Sequence, residues 1–375
     1  MSKVQTPFHS IKLPGIGLFA LCMMTISGCS SEDMPPTSDV FEQEGSWRAV
    51  EAISAAEAWF ASSNGQWLRA TNEAGTIQRQ IFGGPLPDPT DSAVGTHFRG
   101  LALADGGLVG TAVGSPALIR RGEFDSDGAI TGRRVTVWQE NDSAAFLDAV
   151  IALDDTTLIA MGDPIDGCLC VVRSVDGGRS WEKVPCGANG QGVPPAEEGE
   201  AAFAASNGNL SAVGDTVWML SGGGASRVFR STDRGENWTV VRLPLQQGGQ
   251  MTGGFSMDFA DAFHGMIWGG NWEAKEDNTA RAAITSDGGA TWALVSDGSG
   301  PGYGSCVRYR PGSGGQQLAL VGSPGGIDVS DDGGQTWRHV SDSAFYAARF
   351  SPDGDVLWVS GNGRIGYWPV SEFGW

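Results

Sequence analysis

Tyrosine and histidine are scarce, with four of each in 375 residues, and only His97, His264 and His339 follow the first thirty. They are far apart in unrelated contexts, so neither a histidine-based general acid/base nor a histidine metal site is indicated. Basic residues are also few: 24 Lys and Arg stand against 43 Asp and Glu, giving a formal charge of −19. A surface that acidic repels a phosphate backbone, which argues against nucleic-acid binding. No apolar run after residue 30 reaches the roughly 18 residues of a membrane-spanning helix. A G-x-S-x-G nucleophile elbow is missing, and Asp125-Ser-Asp127-Gly128 starts like a calcium loop but lacks the later ligands. Neither a cofactor nor a metal is expected, and no residue is assigned a catalytic role.

Glycine is abundant: 57 residues, beside 14 Trp, without a collagen-like period. That combination implies many tight turns between short, well-packed strands. Lys3 and Lys12 precede the apolar run from Gly15 to Ile26, which ends at Ser27-Gly28-Cys29. This is the layout of a secretory signal over residues 1–28. Ile26-Ser27-Gly28-Cys29 also resembles the bacterial lipobox, which implies lipidation of Cys29. Ser30 after the cysteine, with no Asp there, implies the outer membrane on its periplasmic side. Loss of Lys3 and Lys12 with the leader takes the formal charge from −19 to −21. Residues 29–44 are read as the lipidated Cys and a flexible tether, and 45–375 as one domain. Of the remaining cysteines, Cys186 is placed to bridge to Cys168 or Cys170 in an oxidising compartment.

Four segments share the pattern S/T-x-D-x-G-x-x-W: Ser174–Trp181, Ser231–Trp238, Thr285–Trp292 and Ser330–Trp337. In this Asp-box the carboxylate accepts backbone N–H groups across a turn, glycine supplies a positive φ, and the Trp packs between sheets. Asp176, Asp233, Asp287 and Asp332, with Trp181, Trp238, Trp292 and Trp337, are therefore structural. A fainter repeat, a Trp/Leu/Val strand running into a small-residue turn, recurs at about 50 residues, from Ala58–Gly65 to Val356–Asn362. Four strands per unit at that period predict an all-β fold, a seven-bladed β-propeller, with six or eight blades as the alternatives. The last unit lacks a fourth strand, and Val40-Phe41 is placed to supply it and close the ring.

The chain resembles the photosystem II stability/assembly factor-like family of Asp-box (BNR repeat) propellers, over about residues 45–370. Phe98-Arg-Gly-Leu101, Gly162-Asp-Pro-Ile-Asp-Gly167, Glu198–Ser206, Arg227–Gly235 and Gly269-Gly-Asn271 carry that resemblance. It implies a non-enzymatic scaffold that holds an envelope or membrane protein client, here as a lipid-anchored and monomeric protein. Gly361-Asn-Gly-Arg-Ile-Gly366 matches a dinucleotide fingerprint, but Tyr-Trp-Pro follows instead of a helix, so it is a blade turn. The alternative is a carbohydrate-binding or sialidase-like glycoside hydrolase at the channel mouth, with Arg48, Arg99 and Arg308 facing the channel; no Tyr–Glu pair is evident for it. Loops on a rigid ring usually carry function. Arg48, Arg99, Asp163, Asp166, Glu198, Glu200, Asn271 and Asp277 are accordingly expected to converge as a binding face.

Overall fold

The computed structural model describes residues 38–73, 76–83, 96–187, 190–322 and 324–375; the side chains of 132 and 133 are not described. The signal segment, Cys29 and the tether through residue 37 lie outside the described residues. Among the described residues every long element is a strand, and a single 3-10 turn, Val370–Phe373, ends the chain. No helix there is long and apolar enough to cross a membrane.

The strands form antiparallel sheets, four of them four-stranded and two six-stranded. The first strand of each repeat is innermost. The strands Asp39–Ser54, His97–Ala104, Leu147–Ala152, Leu210–Val213, Thr252–Phe259, Cys306–Tyr309 and Ala347–Phe350 touch one another in cyclic order. The ring is a β-propeller, but hydrogen bonding divides it into six sheets, which corrects the expectation of seven blades. The reason is the strand Asp39–Ser54. Its first part pairs with Val356–Pro369 (Val40↔Gly366, Phe41↔Ile365), and its second part pairs with Glu57–Ser62 (Val50↔Phe60). The first and last repeats are thereby fused into one six-stranded sheet, with Asp39–Ser54 as the seam strand between them. The strand begins at Asp39, ahead of residue 45, and closes the ring through Val40 and Phe41.

Aromatic side chains fill the spaces between sheets. Trp47, Trp59, Trp67, Trp218, Trp238, Trp268 and Trp358 are all fully buried. Trp218 stacks on Phe259 of the next sheet at 3.6 Å between ring centres. The axis itself is filled. Asn207 donates through Nδ2 to the Leu101 carbonyl (2.9 Å) and accepts the Val150 amide at Oδ1 (2.8 Å). Arg308, buried beside it, donates to the carbonyls of Ala348, Met257 and Asn207 at 3.2–3.4 Å. These two residues tie several inner strands together.

Cys168 is bonded to Cys186 across 18 residues, and Cys170 and Cys306 are buried free thiols. Closing a loop of that length restricts the unfolded chain by about 3 kcal/mol. Reduction with a phosphine should therefore lower the urea-unfolding free energy by roughly that amount. An unchanged midpoint after verified reduction would remove this bond from the account of stability.

Candidate functional site

The Asp-boxes are alike in detail. In the first, Asp176 accepts the Ser174 hydroxyl (2.8 Å), the Ser180 amide (2.9 Å) and the Ser180 hydroxyl (2.6 Å). Trp181 donates to the Gly178 carbonyl at 3.1 Å, and Gly178 holds φ +83°. Asp233 and Asp332 repeat the pattern, with Trp238 and Trp337 each 3.0 Å from the carbonyl of the box glycine. At Asp287, hydrogen bonds from the Thr291 hydroxyl and amide and the Thr285 hydroxyl lower the pKa to about 2. Trp292 departs from the pattern: its Nε1 is buried with no partner, and Trp218 instead donates to Gly288 at 2.8 Å. Every box carboxylate is occupied by its own turn, so none is offered to a ligand.

One end of the ring axis is different. Four inner strands carry a register shift, at Arg48, Arg99, Asp148 and Phe255. An extra residue in one strand leaves its side chain out of the pleat and re-aims it. The four positions gather at one place, the mouth: Arg99 feels the charges of Arg48 and Asp148, and Phe255 packs against Tyr303, which in turn lies near Arg48. Tyr346 stands just ahead of the last inner strand, Ala347–Phe350, and the Arg48 guanidinium lies 3.7 Å over its ring. Phe255 stacks on Phe203 (4.0 Å) and meets Tyr303 edge-on (4.9 Å), forming an apolar wall.

The electrostatics of this mouth are unusual. Burial, then the neighbouring Arg48 charge, lower the Arg99 pKa to about 10. Burial also lowers that of Arg48. Arg48 donates to the Ser46 hydroxyl (3.0 Å) and Arg99 to the Ala204 carbonyl (3.4 Å). Neither arginine is ion-paired among the described residues. Asp148 has no exposed surface, and burial together with Asp163 raises its pKa well above the usual carboxylate range. Burial raises Asp163 too, although its Oδ1 accepts the Ala202 amide at 2.8 Å.

Of the expected binding residues, the structure brings Arg48, Arg99 and Asp163 together. Asp166 is turned outward and sits 3.7 Å from Lys183, with its side chain 82% exposed. Glu198 is exposed on its turn. Glu200 is not on a binding face at all: its side chain is fully buried and ion-paired with Arg227. Asn271 and Asp277 accept the amides of Glu273 and Thr279 (both 2.9 Å) and so cap their own loop. Arg308 has its guanidinium taken up by carbonyls on the axis. Sequence reasoning missed Asp148, Tyr303 and Tyr346. The signal for two of them was present: Trp47-Arg48, Phe98-Arg99, Leu147-Asp148 and Phe345-Tyr346 occupy one position of the inner-strand repeat.

Tyr303 also lines a cleft of about 430 Å³, together with Glu276, Asn278, Asp328, Trp337 and His339. Burial pulls the His339 imidazole down, but hydrogen bonds to Asp328 and Asp342 outweigh it and its pKa ends raised. Among the described residues no group of three or more His, Cys, Asp or Glu is placed to hold a metal.

Fold and boxes together define an Asp-box β-propeller. The BNR/Asp-box repeat model matches residues 328–339. Among solved structures the chain is similar to "YCF48 bound to D1 peptide", at 16% identity and TM-score 0.57, covering 90% of this chain and 98% of that one. It is also similar to the WD40 β-propeller domain of Doa1, at 9% identity and TM-score 0.58, covering 88% and 96%. At such identities the likeness is one of fold. No curated protein matches the sequence.

Proposed function

We propose that this chain is a non-catalytic binding propeller whose arginine mouth holds an acidic segment of a partner protein. One observation carries the reading: in a protein of formal charge −19, two adjacent strand bulges aim Arg48 and Arg99 at one mouth and leave both without an ion pair among the described residues. Two like charges drawn partly out of water repel each other, and an anion between them relieves that cost. Tyr303, Tyr346 and Phe203 offer the segment an apolar wall. A structural relative is titled as binding a peptide, which agrees with a peptide-sized occupant here.

The setting we propose is the cell envelope. Residues 1–28 direct export, Cys29 carries the lipid, and a monomeric propeller hangs at the periplasmic side of the outer membrane, where an envelope protein is its client. Capture of partners from gently solubilised native envelopes tests this. Reversal of both charges, Arg48→Glu with Arg99→Glu, removes two charge-assisted contacts of about 1.5–3 kcal/mol each, so the client should be lost by roughly 100-fold or more. Retention of one dominant partner at the wild-type level by the folded double variant would sink the reading.

A further inference from the structure

We infer that Asp148 is a latent counter-ion of Arg99 which an acidic ligand displaces, so that the mouth takes up a proton with the anionic group it binds. This rests on the anion-binding reading above and adds to it a specificity-determining residue.

The argument starts from two polar groups left unsatisfied side by side. Neither carboxyl oxygen of Asp148 has a hydrogen-bond partner, and neither has the Nε of Arg99. Asp148 is fully buried at its bulge, while Arg99 stands at the equivalent bulge of the neighbouring inner strand. A buried carboxylate without a bond is costly, and the usual remedy is to hold a proton.

The groups facing Asp148 decide which form it takes. Arg99, on the strand His97–Ala104, favours the ionised form, as does the Ala204 amide, which points toward Asp148 without reaching hydrogen-bond geometry. Burial and Asp163, on the strand Leu158–Ile165, oppose it and prevail. Arg48, on the strand Asp39–Ser54, and Tyr346, just ahead of the strand Ala347–Phe350, face Arg99. With Asp148 neutral, Arg99 has only the Ala204 carbonyl and the repelling Arg48 beside it, so an incoming carboxylate meets two uncompensated cations. Once Asp148 loses its proton, that charge is met from within, and the ligand must compete. The balance is one proton bound for each ligand carboxylate that replaces Asp148 as the partner of Arg99. Affinity for an acidic ligand therefore falls as pH rises through the Asp148 titration.

The test uses the full chain in detergent and an N-acetylated, fluorophore-labelled tetraglutamate peptide, read by anisotropy at fixed ionic strength from pH 5.5 to 8.5. The peptide is ionised throughout, since a glutamate side chain titrates near 4.3. Wild type should lose at least about tenfold in affinity across the range, given a limit of tenfold per pH unit for one coupled proton. Asp148→Asn, which keeps the shape and cannot ionise, should bind equally at all pH values and at least as well as wild type at pH 5.5. Urea unfolding provides a second readout that needs no ligand. A carboxyl whose folded-state pKa is raised binds a proton the unfolded chain has released, so wild-type stability declines as pH rises above the ordinary carboxylate range. Asp148→Asn should flatten that decline. Wild-type binding that ignores pH, or an Asp148→Asn variant that keeps the wild-type slope in both measurements, overturns the inference alone. Failure of wild type to bind at pH 5.5, or binding that survives reversal of both arginines, overturns the anion-binding reading and this one with it.

Discussion

Arg227→Ala should lower the unfolding free energy by about 3–5 kcal/mol, the usual cost of stranding one member of a buried ion pair. Glu200 is the member left behind. Its side chain has no exposed surface and receives Arg227 Nε at 2.9 Å, the Arg227 Nη2, the Ser221 hydroxyl and the Glu197 amide at 2.8 Å. Arg227 in turn donates to the Pro195 carbonyl (2.8 Å) and packs over Phe229. Removing the guanidinium thus leaves a carboxylate in the interior and loosens the turn from Pro195 to Glu200. Pairing Arg227→Met with Glu200→Gln should recover much of the loss, because the uncompensated charge is then gone. Urea unfolding at pH 7 reads both variants. A single variant within 1 kcal/mol of wild type would show that water reaches Glu200 and that the pair adds little.

A chain beginning at Ser46 should lose comparable stability for a different reason. The first part of the seam strand pairs Asp39 with Tyr367, Val40 with Gly366, Phe41 with Ile365 and Glu42 with Arg364. At about 0.5–1.5 kcal/mol net per hydrogen bond, plus partial burial of Phe41, its removal costs roughly 3–6 kcal/mol. It also bares the edge of Val356–Pro369, an invitation to self-association. Light scattering should rise, and a synthetic peptide of residues 38–46 added in trans should reverse both effects. A truncated chain that stays monomeric with the full-length melting temperature would show that the ring does not depend on this pairing.

Much of the fold is legible in the sequence because its signals are local. Each Asp-box carboxylate is satisfied within its own eight residues, so Ser174–Trp181 reads the same on paper as in space. The number of sheets is a long-range matter. The missing outer strand of the last repeat points to Val40 and Phe41 as its partner, but that the same strand runs on into the first repeat's own sheet, and so joins the two repeats, is nothing that spacing displays. The site divides in the same way. Arg48 and Arg99 stand out as rare cations at matching places in a repeat, whereas Asp148 at that same place is one more acid in an acidic chain. Its importance comes from burial, a property of its neighbours. Glu200 fails as a surface residue for the complementary reason: its partner lies 27 residues onward, across a turn.

The seam also sets a timetable. Ribosomes make the N-terminal end first, so residues 39–46 emerge long before their pairing partner in Val356–Pro369 exists. Each intermediate repeat can assemble on the one before it, yet the outer row of the last repeat stays unfilled until synthesis is complete. Completion of this ring is therefore a post-translational event, and until then the nascent molecule carries an unpaired strand at its leading end, a natural target for a chaperone or a protease.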